Sequence, residues 1–577
     1  MSQDFKTVKV LDDRLCVTDE IAYAVIKGAQ NNTVSRYPAI AKSTSQLVFN
    51  VQVPSEQTLI DRRVLIRNKW VIRLAGTAPS GGFMLNVGAT DALAPFACSQ
   101  GFSTVQSTIN NNTININMQD VINALLRSND QRELFAFNGT TPTAFDTYRS
   151  YADAILANNN PLGSYYNIAD NDLAPRGSFP VRIIPAGGEG GKYTDSTGNP
   201  RNATGAPVAR IVYVEFETAE PLMVSPWLFA DPKSNSQAIY GVTNLNFTFN
   251  LASNANRVWR SANSFITSSI IQEVVDSELI FTFLTPHASD LMSARNVVPY
   301  YEVPRYITSL TIPAGASTQS SNTLQLNQVP DKLIIFVRPK LSDQTTNTPD
   351  YFLPIKNIKI NWNNQSGLLS NATPYDLYRY SRKAGSNQTW LEFSGEAKGA
   401  DGSALSGDGV VIPTTGSMLM LNMGEAVQIT EDWYAPSSIG NFNLQFQLDV
   451  VNSTGLTAFE LVLITLNSGV LVTERGSTSI FTAVLDKQTV LDASQKEAYA
   501  GSDVKRMVGG GFLDSLKSVA SKVLPRALPV AKALLGQVDN KYAKAGADVL
   551  GALGYGMAGA GGSGGGRSGG KLKKYMA

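Results

Sequence analysis

The feature that most constrains this chain is a strict alternation of apolar and polar residues in short runs. In LNFTFNL, Leu245, Phe247, Phe249 and Leu251 fall on one side of an extended chain and Asn and Thr on the other. FNLQFQLDV repeats this with Phe442, Leu444, Phe446, Leu448 and Val450. TININM, ARIVYVEFE, KLIIFVRP, IKNIKINW and FELVLITLNSGVLV are further strand-like runs between about residues 46 and 472. A period of two places successive side chains on opposite faces of a sheet, so each strand has one dry and one wet face. That is the habit of antiparallel sandwiches rather than of helical bundles or parallel sheets. Loops rich in Gly, Asn and Pro separate the runs, at residues 76–82, 138–145, 186–206 and 396–409.

With 577 residues the chain is too long for one ordinary sandwich. The strands divide near residues 256–275 into two blocks of similar length, with no visible sequence repeat between them. The expected organisation is an N-terminal arm over 1–45, one sandwich over 46–265, a second over 266–475, a polar linker over 476–510 and a tail over 511–577. One helix is well marked inside the second block, in NATPYDLYRYSRKAG. Thr373 can cap it, Pro374 suits its first position, and Asp376 favours its positive end. Arg382 and Lys383 suit the negative end, Gly385 can stop the helix, and Leu377, Tyr380 and Ala384 would face the sheet.

Composition bears chiefly on what the chain does not do. The two cysteines, Cys16 and Cys98, cannot build a disulfide framework, and the opening MSQDFKTVKV lacks the apolar stretch of a signal peptide. The expectation is folding in a reducing compartment. No apolar run reaches the length needed to span a bilayer as a helix. The single histidine, His287, has no second histidine or cysteine beside it, so neither a zinc site nor a marked nucleophile–base pair is present. AGGEGGK and GGSGGGRSGGK lack phosphate-loop spacing. The chain is expected to have no catalytic residues, cofactor or metal, and not to be an enzyme.

The net charge of +1 conceals an asymmetry, because residues 501–577 carry 12 Lys and Arg against 4 Asp. In FLDSLKSVASKVLPRALPVAKALL, Phe512, Leu516, Val519 and Val523 recur at helical spacing, with Lys517, Lys522 and Arg526 beside them. An apolar stripe flanked by cations is how interfacial helices hold to anionic bilayers. The same stripe would also serve to pack the helix beneath the sandwiches. Pro525 and Pro529 divide the stretch into two short helices. The flexible end carries Arg567, Lys571, Lys573 and Lys574, a sequence-independent contact for nucleic acid or a lipid surface.

Two matches to [MIL]-x-G-x-G bracket the amphipathic stretch. They are Met507-Val508-Gly509-Gly510-Gly511 and Met557-Ala558-Gly559-Ala560-Gly561, and a third, Leu405 to Gly409, lies in a loop of the second block. The pattern resembles the cleavage sites of adenovirus-type maturation proteases, which cut before the last glycine.

Two longer segments carry a family resemblance. VFNVQVPSEQTLIDRRVLIRNKWVIRLAG (48–76) resembles the opening strands of the first jelly roll in double jelly-roll major capsid proteins of virophages, polinton-like viruses and adintoviruses. FLPIKNIKINWNNQSGLLSNATPYDLYRYSRKAG (352–385), followed by Trp390, resembles the NNxxGxLS segment and helix of their second jelly roll. The resemblance covers residues 46 to about 475. It implies an all-β fold of two tandem eight-stranded jelly-roll β-sandwiches, to which this chain adds a helical, Gly-rich C-terminal tail. It implies a homotrimer forming a pseudo-hexagonal tile of an icosahedral shell in the virion, assembled in host cytoplasm or nucleus. The partners so implied are further copies of the chain, minor capsid or penton proteins, a maturation protease, and the genome or an internal membrane through the basic tail. The departure is the tail itself, because in adenoviruses a lytic peptide belongs to a separate internal protein. Two other readings fit parts of the chain. One is the capsid protein of a small RNA virus with a self-cleaved lytic peptide, although MVGGGF lacks the Asn such a site usually has. The other is a carbohydrate-binding β-sandwich attachment protein, with Trp227, Trp390 or Trp433 stacking on sugars.

Overall fold

The computed structural model describes residues 30–78, 91–129, 181–184, 208–228, 238–261, 266–287, 292–347, 351–399, 410–429 and 435–483, with isolated positions between and just beyond them. Alternation does what it predicts. In the strand Asn244–Leu251, Leu245, Phe247, Phe249 and Leu251 are buried and the residues between them are more exposed. In Ile439–Asn452, every second residue from Phe442 to Val450 is buried.

The strands form two sandwiches of the same topology. In the first, one sheet runs Asn31–Pro38, Ile266–Thr285, Leu65–Ala78, Val208–Pro221, with the short strand Val181–Ile184 at its edge. The facing sheet runs Gln46–Gln52, Asn244–Leu251, Phe102–Ile109, Asn112–Ile116. Counted along the chain, the two sheets hold strands one, eight, three, six and two, seven, four, five, which is the jelly-roll wrapping. The second sandwich repeats this order. Asn296–Glu302 and Arg305–Thr311 both pair with Ala458–Glu474, which pairs with Lys332–Pro339 and through it with Leu419–Asn422. Opposite them lie Gly315–Ser320 with Leu324–Gln328, then Ile439–Asn452, Ile355–Trp362 and Gln365–Leu368. In both halves a helix follows the fifth strand, Met118–Ser128 in the first and Pro374–Lys383 in the second. The duplication is thus complete in topology.

Three expected boundaries are corrected by strand pairing. Ile266–Thr285 was expected to open the second block, but it pairs with Leu65–Ala78 and Asn31–Pro38 and closes the first sandwich. Bulges between Ile266 and Ser268, Ile271 and Glu273, and Val274 and Asp276 break its period of two, so its regular half, SELIFTFLT, resembles a new beginning. Asn31–Pro38 lies within the expected N-terminal arm and is the outer strand of the same sheet. Ser477–Phe481 lies within the expected linker and pairs with Ala458–Glu474.

A fourth difference concerns KLIIFVRP, grouped above with the alternating runs. From Leu333 onward it is buried throughout. Leu333, Ile335 and Val337 point into the second sandwich, whereas Ile334 and Phe336 join the core that includes the first. Its sheet is therefore dry on both faces, and its outer face, with Met418, Met420, Val462 and Ile464, is part of the contact between the two halves.

The expected helix is present with its cap. Thr373 Oγ1 accepts from the Asp376 N–H, the Asp376 carboxylate accepts from the Thr373 N–H, and Pro374 is the first helical residue. Leu377 and Ala384 are buried, Tyr380 is partly so, and Gly385 follows with φ of 96°. Among the described residues no helix is long and apolar enough to cross a membrane.

Candidate functional site

The most developed polar arrangement lies where the helix Met118–Ser128 of the first sandwich rests against the second. Val121, Ile122, Leu125 and Leu126 are buried, and Asp120 and Arg127 are buried with them. Burying a charge is costly unless a partner and further hydrogen bonds meet it. Both partners come from the second half.

At the helix start, the Arg305 guanidinium lies 2.5 Å from Asp120 Oδ2. Arg338 pairs with Asp120 Oδ1 and also reaches Glu460 Oε2 at 3.1 Å. Arg338 and Glu460 are cross-strand neighbours, so the pairing of two second-half strands aims one guanidinium at a first-half carboxylate. The acid also sits in the first turn, where the helix dipole favours it.

At the helix end, Arg127 Nε donates to Glu392 Oε1 at 3.1 Å; the two side chains are 0% and 2% exposed. Glu392 lies in the short helix Trp390–Ser394, and its carboxylate also accepts from Gln388 Nε2 at 3.0 Å and Thr415 Oγ1 at 3.0 Å. Burial raises the Glu392 carboxyl above its usual range, against the pull of Arg127 and these donors. The Arg127 guanidinium lies 5.3 Å from the centre of the Phe352 ring, and the Asn387 N–H donates to Arg127 O at 2.8 Å. Backbone geometry guards this corner. Gly416 has φ of 93°, and a Cβ there would stand 1.9 Å from Phe352 O.

Away from this helix the halves also meet by hydrogen bonds. Asn110 Nδ2 donates to Thr478 Oγ1 at 2.8 Å, Ser225 Oγ to Tyr301 O at 2.6 Å, and the Ser261 N–H to Thr346 O at 3.0 Å. What this arrangement does is mechanical. It fixes one sandwich upon the other and brings no nucleophile–base pair together. Among the described residues no cluster of His, Cys, Asp and Glu could hold a metal ion.

Among the buried acids of the first sandwich, Glu220 is held by a set of donors. Glu220 accepts from the N–H groups of Cys98 and Ser99, each at 2.8 Å, and from Ser99 Oγ at 2.6 Å. Burial pushes its carboxyl up to about 7 in spite of those donors.

The residues singled out in the sequence are placed unevenly. Met507 to Gly511, Met557 to Gly561, the stripe from Phe512 to Arg526, the basic residues Arg567, Lys571, Lys573 and Lys574, and the third match at 405–409 lie outside the described residues. So does Trp433. Trp227 is buried against Phe247. Trp390 is partly exposed and stands edge-on to Tyr375 and Tyr378, at ring separations of 5.4 and 5.6 Å. The Tyr375 and Trp390 rings border a groove of about 570 Å³ with Ile355, Lys356, Leu391 and Glu396. The interdomain charges Asp120, Arg127, Arg338 and Glu392 were missed. Their signal is a charge inside a buried apolar run, as in VINALLRS and KLIIFVRP.

Comparison with known proteins gives this geometry its setting. A family model described as the first domain of the Sputnik virophage major capsid protein matches residues 3–284. A second, described as the C-terminal domain of major capsid protein V20, matches residues 303–469. Their boundary agrees with the sheet pairing. The chain is 31% identical to capsid protein V20 of Sputnik virophage over 581 aligned positions, covering 95% of this chain and 93% of the relative. The 3.5 Å cryo-EM structure of the Sputnik virophage contains a chain that superimposes with a TM-score of 0.72 at 28% identity, covering 88% of this chain and 99% of that one. The crystal structure of the mavirus major capsid protein superimposes with a TM-score of 0.69 at 14% identity, a likeness of fold, over 87% of this chain and 100% of the other. The chain belongs to the family of virophage major capsid proteins, double jelly-roll structural components of the virion.

Proposed function

We propose that this chain is the tile of a virophage shell, three copies forming a pseudo-hexagonal capsomer whose six jelly rolls surround a common axis. One observation carries the reading: the two halves share a topology and meet head to tail, the helix edge of the first against the outer sheet face of the second. A heterologous contact of this kind either closes into a ring or runs on as a filament. Capsomers would pack with minor capsid or penton proteins to complete the shell.

The tail is proposed to act after assembly. Cleavage after Gly510 and Ala560 by a maturation protease would free the stretch from Phe512 onward, while the cations beyond Arg567 contact genome or an internal lipid layer. The bracketing sites and the charge excess of residues 501–577 support this. Light scattering on the purified full chain tests the first claim, with the expected mass three times that of one chain. For the tail, co-expression with the virus's own protease and intact-mass measurement should give products ending at Gly510 and Ala560. An unprocessed chain in the presence of active protease overturns that reading.

A further inference from the structure

We propose that the aromatic face formed by Tyr375, Trp390 and Leu391 is a docking surface for the first sandwich of a second copy of this chain. The proposal rests on the capsomer reading above and assigns it a surface.

The two halves are topological repeats, and in each a helix follows the fifth strand. Aligned from their first residues, Met118 and Pro374, the helices place Asp120 opposite Asp376, Val121 opposite Leu377, and Arg127 opposite Lys383. Val121 and Leu377 do the same work, each facing its own sandwich at 0% exposure. The charged pairs have opposite fates. Asp120 and Arg127 are buried, and each is met by charges of the following sandwich. Asp376 meets only groups of its own helix, the capping residue Thr373 and the charge of Arg379, and Lys383 is exposed with no side-chain partner among the described residues.

The second helix thus presents the surface that the first has already used, with no following sandwich among the described residues to meet it. Around it the exposed groups are those that gain from being covered. Tyr375 is 55% exposed and Leu391 is 53% exposed, beside the partly exposed Trp390. Aromatic and large aliphatic side chains in a shallow groove are what anchor stable interfaces.

The receiving surface follows from the same repetition. In the second sandwich it is the outer face of the sheet containing Lys332–Pro339, where Arg338 stands near the strand's end. Its counterpart is the outer face around Leu65–Ala78. There Arg73 points away from the core formed by Trp70, Ile72 and Leu74, and it has no side-chain partner among the described residues. A helix start whose acid meets no charge of another sandwich on one copy, and an arginine on the outer sheet face of the next, match the Asp120–Arg338 contact within the chain.

The test is performed on the full chain. Leu391→Asp and Tyr375→Ala should each raise the trimer dissociation constant at least tenfold by analytical ultracentrifugation, while near-UV circular dichroism stays that of the folded protein. Leu391→Cys combined with Arg73→Cys should give chain-to-chain crosslinks with a short bismaleimide, ending at three chains. Failure is separable. A wild-type protein that is monomeric at micromolar concentration removes the capsomer reading itself. A trimeric wild type whose Leu391→Asp and Tyr375→Ala forms are equally stable trimers, without crosslinks, overturns only the assignment of this face. Trimers unaffected by these changes but losing binding on a glycan array would likewise overturn it, making the groove a sugar platform.

Discussion

Arg127 and Glu392 are removed from solvent and joined across the two halves of the chain. Removing one partner leaves the other as a lone buried charge. Arg127→Ala is therefore expected to lower the unfolding free energy by about 3–5 kcal/mol, whereas replacing both with methionine should cost far less, because the desolvation of both ions disappears together. Urea unfolding of the two single variants and the double variant checks this. Equal losses in single and double variants would show that packing, not charge, sets the effect. Glu220 gives a separate prediction in pH. Its folded carboxyl is raised to about 7 from the ordinary 4.5. Between these values the unfolded chain has given up the proton and the folded chain retains it, so stability falls as pH rises from 4.5 to about 7 and is level for this group above that. The loss is about 3 kcal/mol at 1.36 kcal/mol per unit. Glu220→Gln cannot ionise, so its melting temperature should vary less than that of the wild type between pH 5 and 8. An unchanged slope in the variant would assign the pH dependence to other groups.

Elements were legible to the extent that they obey one rule at a time. The helix Pro374–Lys383 declares itself by cap, proline and stop, all of which are formed. Thr373→Ala removes the hydroxyl half of the capping box and should cost about 1 kcal/mol. Gly416→Ala should cost more than that in the same melting series, since its Cβ would overlap Phe352 O beside Glu392 and the positive φ adds strain. If Thr373→Ala proves the more damaging, backbone at the junction yields more readily than the contact implies. Alternating strands such as Asn244–Leu251 were equally plain. Ile266–Thr285 was not, because three bulges shift the phase of its buried residues, and a period counted in a window reads each segment as a separate strand. KLIIFVRP was misleading for the opposite reason. A run without alternation marks a strand dry on both faces, which in a two-sandwich chain locates the sheet lying between the two cores. The junction charges were illegible because their partners lie far along the chain, 265 residues apart for Arg127 and Glu392.

At the scale of the whole molecule the outer face of the second sandwich is at the same time part of the first sandwich's core. Ile334, Phe336, Met420, Val462 and Ile464 are buried in one cluster with Trp70, Phe249 and Leu125. Two domains that share a core cannot melt independently, since unfolding either one exposes apolar surface on the other at about 25 cal/mol for each Å² uncovered. The wild-type chain is thus expected to show one calorimetric transition over the two sandwiches, with calorimetric and van't Hoff enthalpies in agreement. Met420→Glu puts a charge on the face shared by the halves while leaving Leu419 and Leu421 in the second sandwich's own core. It should split the transition in two, each near the size of one jelly roll. Association between copies also moves a transition, but in a way that depends on protein concentration, whereas separation of two halves of one chain does not. A Met420→Glu profile that stays single at every concentration would show that the hydrogen bonds and ion pairs of the junction, from Asp120 to Thr478, suffice to hold the two sandwiches as one unit without the shared apolar face.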